Sequence, residues 1–171
     1  IGVEVANIAL SMGMKVVGVD PPITVRRAWQ LSSGVQQVDT LDRLFKRSNA
    51  VSLHVPLVDA TRHLVNRDRL ALMQPGGILV NFSRGGVVDN DAVIASLDEG
   101  RLHAYVCDFP TPELIAHPKV VALPHLGAST REAEENCAVM AAENVKDYLE
   151  NGNIRNSVNF PNLALDRGEG A

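Results

Sequence analysis

Short runs of β-branched and apolar residues alternate with helix-forming stretches along nearly the whole 171-residue chain. No other feature restricts its fold as strongly. A strand followed by a helix and another strand is the βαβ unit, whose crossover makes neighbouring strands parallel. The strands read from this pattern are Lys15–Asp20, Ala50–His54, Gly77–Phe82, His103–Asp108 and Val120–Leu123. Most are continuous apolar runs, such as Val16-Val17 and Ile78-Leu79-Val80, the composition of strands covered by helices on both faces. The predicted fold is therefore α/β, an open doubly wound parallel sheet.

Helical patterns fill the gaps: Val3–Met12 closed by Gly13, Leu41–Arg47, Arg67–Met73, and Asp91–Glu99 closed by Gly100. Gly13 and Gly100 stand where a left-handed residue is wanted after a helix. A final pattern opens on Ser129-Thr130-Arg131-Glu132, a capping box, and runs through Ala138, Ala142 and Leu149 to Asn151-Gly152. It is about twice the usual helix length. Its apolar stripe is wider than one domain face needs, which predicts packing against a further domain or another subunit. The expected organisation is a domain over 1–128, a long helix over 129–152 and a linker over 153–171. Because the chain begins at Ile1, already inside a helical pattern, it reads as a piece of a longer protein.

Composition narrows the function. Sixteen Lys and Arg against twenty Asp and Glu leave a net charge of −4, and no basic run exceeds two residues. That balance argues against generic affinity for nucleic acid or anionic membranes and for a small ligand. No apolar stretch approaches the ~18 residues of a bilayer span, and no signal-peptide pattern opens the chain. Cys107 and Cys137 are too few for a disulfide framework, so a reducing, cytoplasmic setting is expected. His63, His103 and His117 share no ligand spacing, and neither H-E-x-x-H nor C-x-x-C occurs, so no metal site is predicted. Walker A and G-x-S-x-G patterns are absent too.

Several motifs remain that could carry chemistry. Ile1-Gly2 opens the first helical pattern, and Asp20 ends the following strand eighteen residues after Gly2. In a dinucleotide-binding βαβ unit the third glycine of G-x-G-x-x-G lies at the helix start. An acidic residue about 20 positions on then accepts the ribose hydroxyls. The first two glycines are absent here, and an Asp before Pro21-Pro22 is equally a turn former, so both readings stay open. Asn81-Phe82-Ser83-Arg84-Gly85-Gly86 leaves the C-terminal end of a buried strand, the edge where open α/β sheets bind ligands. Its glycines permit a sharp turn, and the Arg84 guanidinium could grip a carboxylate through two parallel hydrogen bonds. The plain alternative is a surface Arg in a tight turn. Asp108, Glu113 and His125 cluster at the ends of the next two strands. A carboxylate beside an imidazole fixes its ring and favours its charged form, giving an acid–base near neutral pH. Singly, each reads as a solvent-facing polar residue; four motifs converging on one sheet edge are harder to read that way. His54 ends a strand at the same crevice without an acidic partner and reads as a cofactor-loop or structural residue.

These segments, in this order, resemble the D-2-hydroxyacid dehydrogenases. The resemblance runs from Ile1-Gly2 through Asp20, Leu53-His54-Val55-Pro56, Phe82–Gly86, Asp108-Phe109-Pro110-Thr111-Pro112-Glu113 and Pro124-His125-Leu126-Gly127-Ala128-Ser129-Thr130. Asn156–Pro161, after the long helix, tilts it towards the branch whose substrate is phosphorylated. The resemblance implies a Rossmann-like NAD-binding domain lacking its first strand, and a small 2-hydroxy acid as substrate. Arg84 would bind the substrate carboxylate and carbonyl, His125 would exchange the hydroxyl proton, and Glu113 would partner His125. Ile1 and Gly2 would border the pyrophosphate and Asp20 the adenosine ribose. Phe82, Ser83, Arg84, Asp108, His125, Leu126, Gly127 and Ala128 would line the nicotinamide side. An acid at the ribose position repels a 2′-phosphate, so NAD is expected over NADP. The family's substrate domain and two phosphate-loop glycines are missing, which predicts an inactive fragment, and the resemblance implies that the parent protein is a homo-oligomer. The alternatives are a member acting on hydroxypyruvate, glyoxylate or D-lactate, and a non-catalytic NAD-sensing module.

Overall fold

A computed structural model describes residues 1–161. In chain order the elements are α1 (Gly2–Ser11), β1 (Val17–Gly18), α2 (Val25–Ala28), β2 (Gln36–Gln37), α3 (Leu41–Arg47), β3 (Ala50–Leu53), α4 (Arg67–Leu72), β4 (Gly77–Asn81), α5 (Asn90–Asp98), β5 (Leu102–Cys107), α6 (Pro112–Ala116), β6 (Val120–Ala122) and α7 (Arg131–Asn151). Single 3₁₀ turns stand at Asp59–Thr61 and Gly85–Val87. The chain divides into two compact units, Ile1–His125 and a second beginning at Leu126.

All strand pairs are parallel, as the apolar runs predict. In the first unit β3-β4-β5-β6 form one sheet, and β1 pairs with β2 in a separate one. Strands β1 and β3 therefore lie in different sheets. Register decides what the fold can present. Leu53 lies opposite Asn81, Asn81 opposite Cys107 and Cys107 opposite Ala122. The four C-terminal strand ends are thus level, and the residues that follow leave from one edge: His54, Phe82 to Arg84, Asp108, and Pro124-His125.

Helix α5 shows how local sequence sets the packing. Asp89 caps it, its carboxylate accepting the Ala92 amide at 3.1 Å. Gly100 at φ 71° closes it, with the Gly100 amide on the Leu97 carbonyl and the Arg101 amide on that of Ser96, a Schellman closure. Between the caps, Ala92, Val93 and Leu97 are buried in the core with Leu79, Leu102 and Tyr105. Each fully buried aliphatic side chain of this kind contributes about 1.5–3 kcal/mol.

Several expectations shift. The Lys15–Asp20 strand pairs only at Val17–Gly18, because its partner β2 is two residues long. Helices α2 and α6 and strand β2 were not expected; at two to five residues they are too short to show a period. The expected capping box is replaced: Thr130 is the N-cap of α7 and its hydroxyl accepts the Ala133 amide at 3.2 Å. Ser129 belongs to the preceding turn, its amide bonded to the Leu126 carbonyl.

Helix α7 runs for 21 residues, ends at Gly152 and buries no residue. Past it, Asp147 gathers the chain: Asn151 and Asn153 donate to its Oδ1 at 2.9 and 2.8 Å, and Arg155 lies 3.0 Å from its Oδ2. Of the expected linker 153–171, residues 162–171 lie outside those described.

Candidate active site

The loop bearing Arg84 is folded by a buried amide. Asn81 ends β4 fully buried, and its Oδ1 accepts the Ser83 amide at 3.1 Å and the Ser83 hydroxyl at 2.7 Å. Its Nδ2 donates to the Arg84 carbonyl at 3.0 Å and lies 3.5 Å from the Tyr105 hydroxyl. This clasp turns the chain within three residues of the strand. It leaves Phe82 and Arg84 exposed, with Arg84 Nη1 donating to the Ser83 carbonyl at 2.7 Å. The next residue must be small: a Cβ at Gly85 would stand 3.2 Å from the Phe109 Cβ.

Strand β5 delivers the acidic partner. Directly after Cys107, the Asp108 Oδ2 lies 2.7 Å from Nδ1 of His125, with 11% of the Asp108 side chain exposed and 42% of the His125 side chain. A carboxylate accepts only from a protonated nitrogen, so Nδ1 carries the shared proton and Nε2 is the ring nitrogen left to exchange one. The other Asp108 oxygen, Oδ1, is buried without a hydrogen-bond partner among the described residues. The Phe109 ring packs on the imidazole at a centroid distance of 4.2 Å and a tilt of 39°. The Arg84 guanidinium carbon stands 6.0 Å from the centroid of the same ring. Below the site, burial pushes the Cys107 thiol and the Tyr105 hydroxyl above their ordinary values, which keeps both neutral.

Glu113 is placed differently from expectation. It lies exposed in the first turn of α6. Its own amide and the Thr111 side chain bond its carboxyl and hold it below the usual carboxylate range. The carboxylate on His125 is Asp108, in the position the resemblance gave to Glu113. The reason is local: with Pro112 at the start of α6, the Glu113 side chain satisfies the helix terminus.

The remaining predicted residues lie on the first unit and at the start of the second. Ile1 and Gly2 open α1, whose N-cap carries no side-chain hydrogen bond. Gly2 sits against His54, where a Cβ would come within 3.3 Å of the His54 Cβ. His54 bonds Ser52 at 2.9 Å, and burial holds its pKa below the ordinary value. Asp20 is exposed past the end of β1. Uncapped amides at a helix start with a glycine beside them, and a free carboxylate at the next strand end, suit a pyrophosphate and a ribose respectively. Leu126, Gly127 and Ala128 open the second unit directly after His125. Among the described residues no cluster of three or more His, Cys, Asp or Glu side chains could hold a metal ion.

Sequence reasoning missed Asn81 and Phe109. The signal for Asn81 was a lone polar residue closing the apolar run Ile78-Leu79-Val80. Phe109 carried none beyond adjacency to Asp108, because its role depends on two loops distant in sequence.

Fold and site together define the dinucleotide-binding domain of an oxidoreductase. Residues 1–127 match the family described as "D-isomer specific 2-hydroxyacid dehydrogenase, NAD binding domain", and the chain belongs to that family of NAD-dependent enzymes. It is 37% identical to a D-3-phosphoglycerate dehydrogenase of Methanocaldococcus jannaschii, across 98% of this chain and 33% of the relative. It is 40% identical to a hydroxypyruvate reductase of Thermotoga maritima, across 85% of this chain and 48% of the relative. The apo crystal structure of Rhodotorula graminis D-mandelate dehydrogenase superposes with a TM-score of 0.81 at 29% identity, covering 94% of this chain and 48% of that one. The chain spans between about a quarter and a half of the length of the proteins it matches.

Proposed function

We propose that this chain is the cofactor-binding and proton-exchanging part of an enzyme that oxidises D-3-phosphoglycerate to 3-phosphohydroxypyruvate, opening L-serine biosynthesis. The observation that carries the chemistry is the 2.7 Å contact of Asp108 with His125, beside an exposed Arg84. The substrate assignment is supported by the M. jannaschii relative, whose likeness extends over nearly the whole chain.

Bound NAD supplies the hydride acceptor. Arg84 holds the substrate carboxylate through paired hydrogen bonds. His125 takes the hydroxyl proton at Nε2, and Asp108 keeps the ring in the required tautomer and stabilises the imidazolium that results. In the reverse direction the same imidazolium, with Arg84, stabilises charge developing on the carbonyl oxygen. Asp108 thereby takes the partnering role that resemblance assigned to Glu113. Ile1 and Gly2 border the pyrophosphate and Asp20 holds the ribose. Phe82 and Ser83 line the nicotinamide side. The enzyme is a homo-oligomer of a reducing, cytoplasmic compartment, in keeping with two unpaired cysteines.

A second reading, reduction of hydroxypyruvate, is supported by the T. maritima relative. The deciding experiment is NADH production, in an enzyme carrying this chain, from D-3-phosphoglycerate, D-glycerate and D-lactate at equal concentration. Preference for the phosphorylated substrate is expected. Preference for D-glycerate would move the enzyme to the second reading.

A further inference from the structure

Arg84 and His125 must serve adjacent carbons of one substrate, yet nothing in the first unit joins them directly. Arg84 leaves the end of β4 and His125 follows β6, with β5 between them in the sheet. The residue that reaches both comes from that middle strand. Phe109, one position past Asp108 and partly buried, packs its ring on the His125 imidazole at 4.2 Å and stands 6.0 Å from the Arg84 guanidinium carbon. Its Cβ also faces Gly85 so closely that a methyl there would lie 3.2 Å away. The Arg84 loop is therefore docked on Phe109 through its backbone as well as its side chain.

We propose that Phe109 is a positioning residue for the reaction, a shared aromatic wall that sets the separation of the Arg84 guanidinium and the His125 imidazole. The inference rests on the site roles proposed above, and holds for any 2-hydroxy acid. Two features favour a ring over an aliphatic side chain. The face of a benzene ring is negative, so it attracts a guanidinium and also an imidazolium as His125 gains its proton. The ring is rigid, with two side-chain torsions, and keeps two like-charged groups apart without bonding to either. Asp108 fixes the His125 ring from its edge at Nδ1, and Phe109 fixes its face. Together they leave Nε2 and the outer edge of Arg84 for the substrate.

The test compares Phe109→Leu and Phe109→Tyr in an enzyme carrying this chain, using the 2-hydroxy acid it turns over best. Misplacement of reacting groups by ~1 Å costs on the order of 100-fold. Phe109→Leu is therefore expected to lower kcat/KM by roughly 10- to 100-fold, with most of the loss in KM because Arg84 drifts. NADH affinity is expected to stay within about twofold of the parent, since the pyrophosphate and ribose roles fall to Ile1, Gly2 and Asp20. Phe109→Tyr keeps the ring and is expected to restore kcat/KM to within about threefold. As a readout independent of turnover, oxamate binding to the NADH-loaded protein is expected to weaken in Phe109→Leu and recover in Phe109→Tyr. A Leu variant with unaltered kcat/KM and oxamate affinity would overturn the proposal. So would a Tyr variant as impaired as Leu while both bind NADH normally. Turnover of D-glycerate in place of D-3-phosphoglycerate would overturn the substrate reading and leave Phe109 standing.

Discussion

Asp108 touches His125 through one oxygen, and in the proposed mechanism that single contact selects which imidazole nitrogen reacts. Replacing Asp108 by Asn removes the charge that stabilises the imidazolium and permits the opposite tautomer. Turnover is expected to fall by ~10²–10⁴-fold with NADH affinity nearly unchanged; a loss of under about threefold would remove Asp108 from the mechanism. Asp20→Ala is expected to weaken NAD and relax discrimination against NADP, measured as the ratio of the two Kd values; unchanged affinities would refute the ribose assignment. At this scale the sequence made Arg84, Asp108 and His125 visible, because each follows a readable strand. It could not say which of two carboxylates five residues apart reaches the imidazole. That choice depends on α6, a helix of five residues beginning at Pro112, which turns Glu113 towards its own terminus. Asn81 and Phe109 were illegible for a related reason: their work lies in contacts across strands.

Helix α5 is where element and core meet. Leu97 is fully buried, and Leu97→Ala is expected to destabilise the first unit by about 2–5 kcal/mol in urea unfolding; a change below ~1 kcal/mol would mean the site relaxes around the loss. In the second unit the Asn151 and Asn153 amides, with Arg155 nearby, hold Asp147 below its ordinary pKa. A lowered carboxyl pKa stabilises fully above the ordinary value of ~3.9, and the contribution disappears as pH falls through the lowered value. Acidification to about pH 2, below that ~3.9 reference, is therefore expected to loosen the segment after α7. Amide exchange at residues 153–155 would show it, and Asp147→Ala is expected to reproduce the loosening at neutral pH. Equal protection in both would contradict the anchor. Elements of this size were legible unevenly: Leu41–Arg47 was read with its observed bounds, because Thr40 caps it and its periodicity is complete. The α7 cap slipped by one residue, since Ser129 and Thr130 are chemically alike and only backbone conformation separates them.

Across the whole molecule, parallel pairing and level strand ends bring chemistry from four separate stretches of sequence to one edge. The alternating pattern predicted that edge; it did not predict the division into two sheets, which depends on strand pairing. Helix α7 leaves the apolar residues Val139, Met140, Val145 and Leu149 exposed. The proposed assignment that carries the mechanism is His125 as proton exchanger, with the cofactor's pyrophosphate and ribose held at Ile1, Gly2 and Asp20. Its most direct test is His125→Ala in an enzyme carrying this chain, with NADH affinity and 2-hydroxy acid turnover measured on the same preparation. Turnover is predicted to fall by ~10²–10⁴-fold with NADH affinity within about twofold of the parent. Turnover that stays within about threefold, with the cofactor bound normally, would contradict the claim.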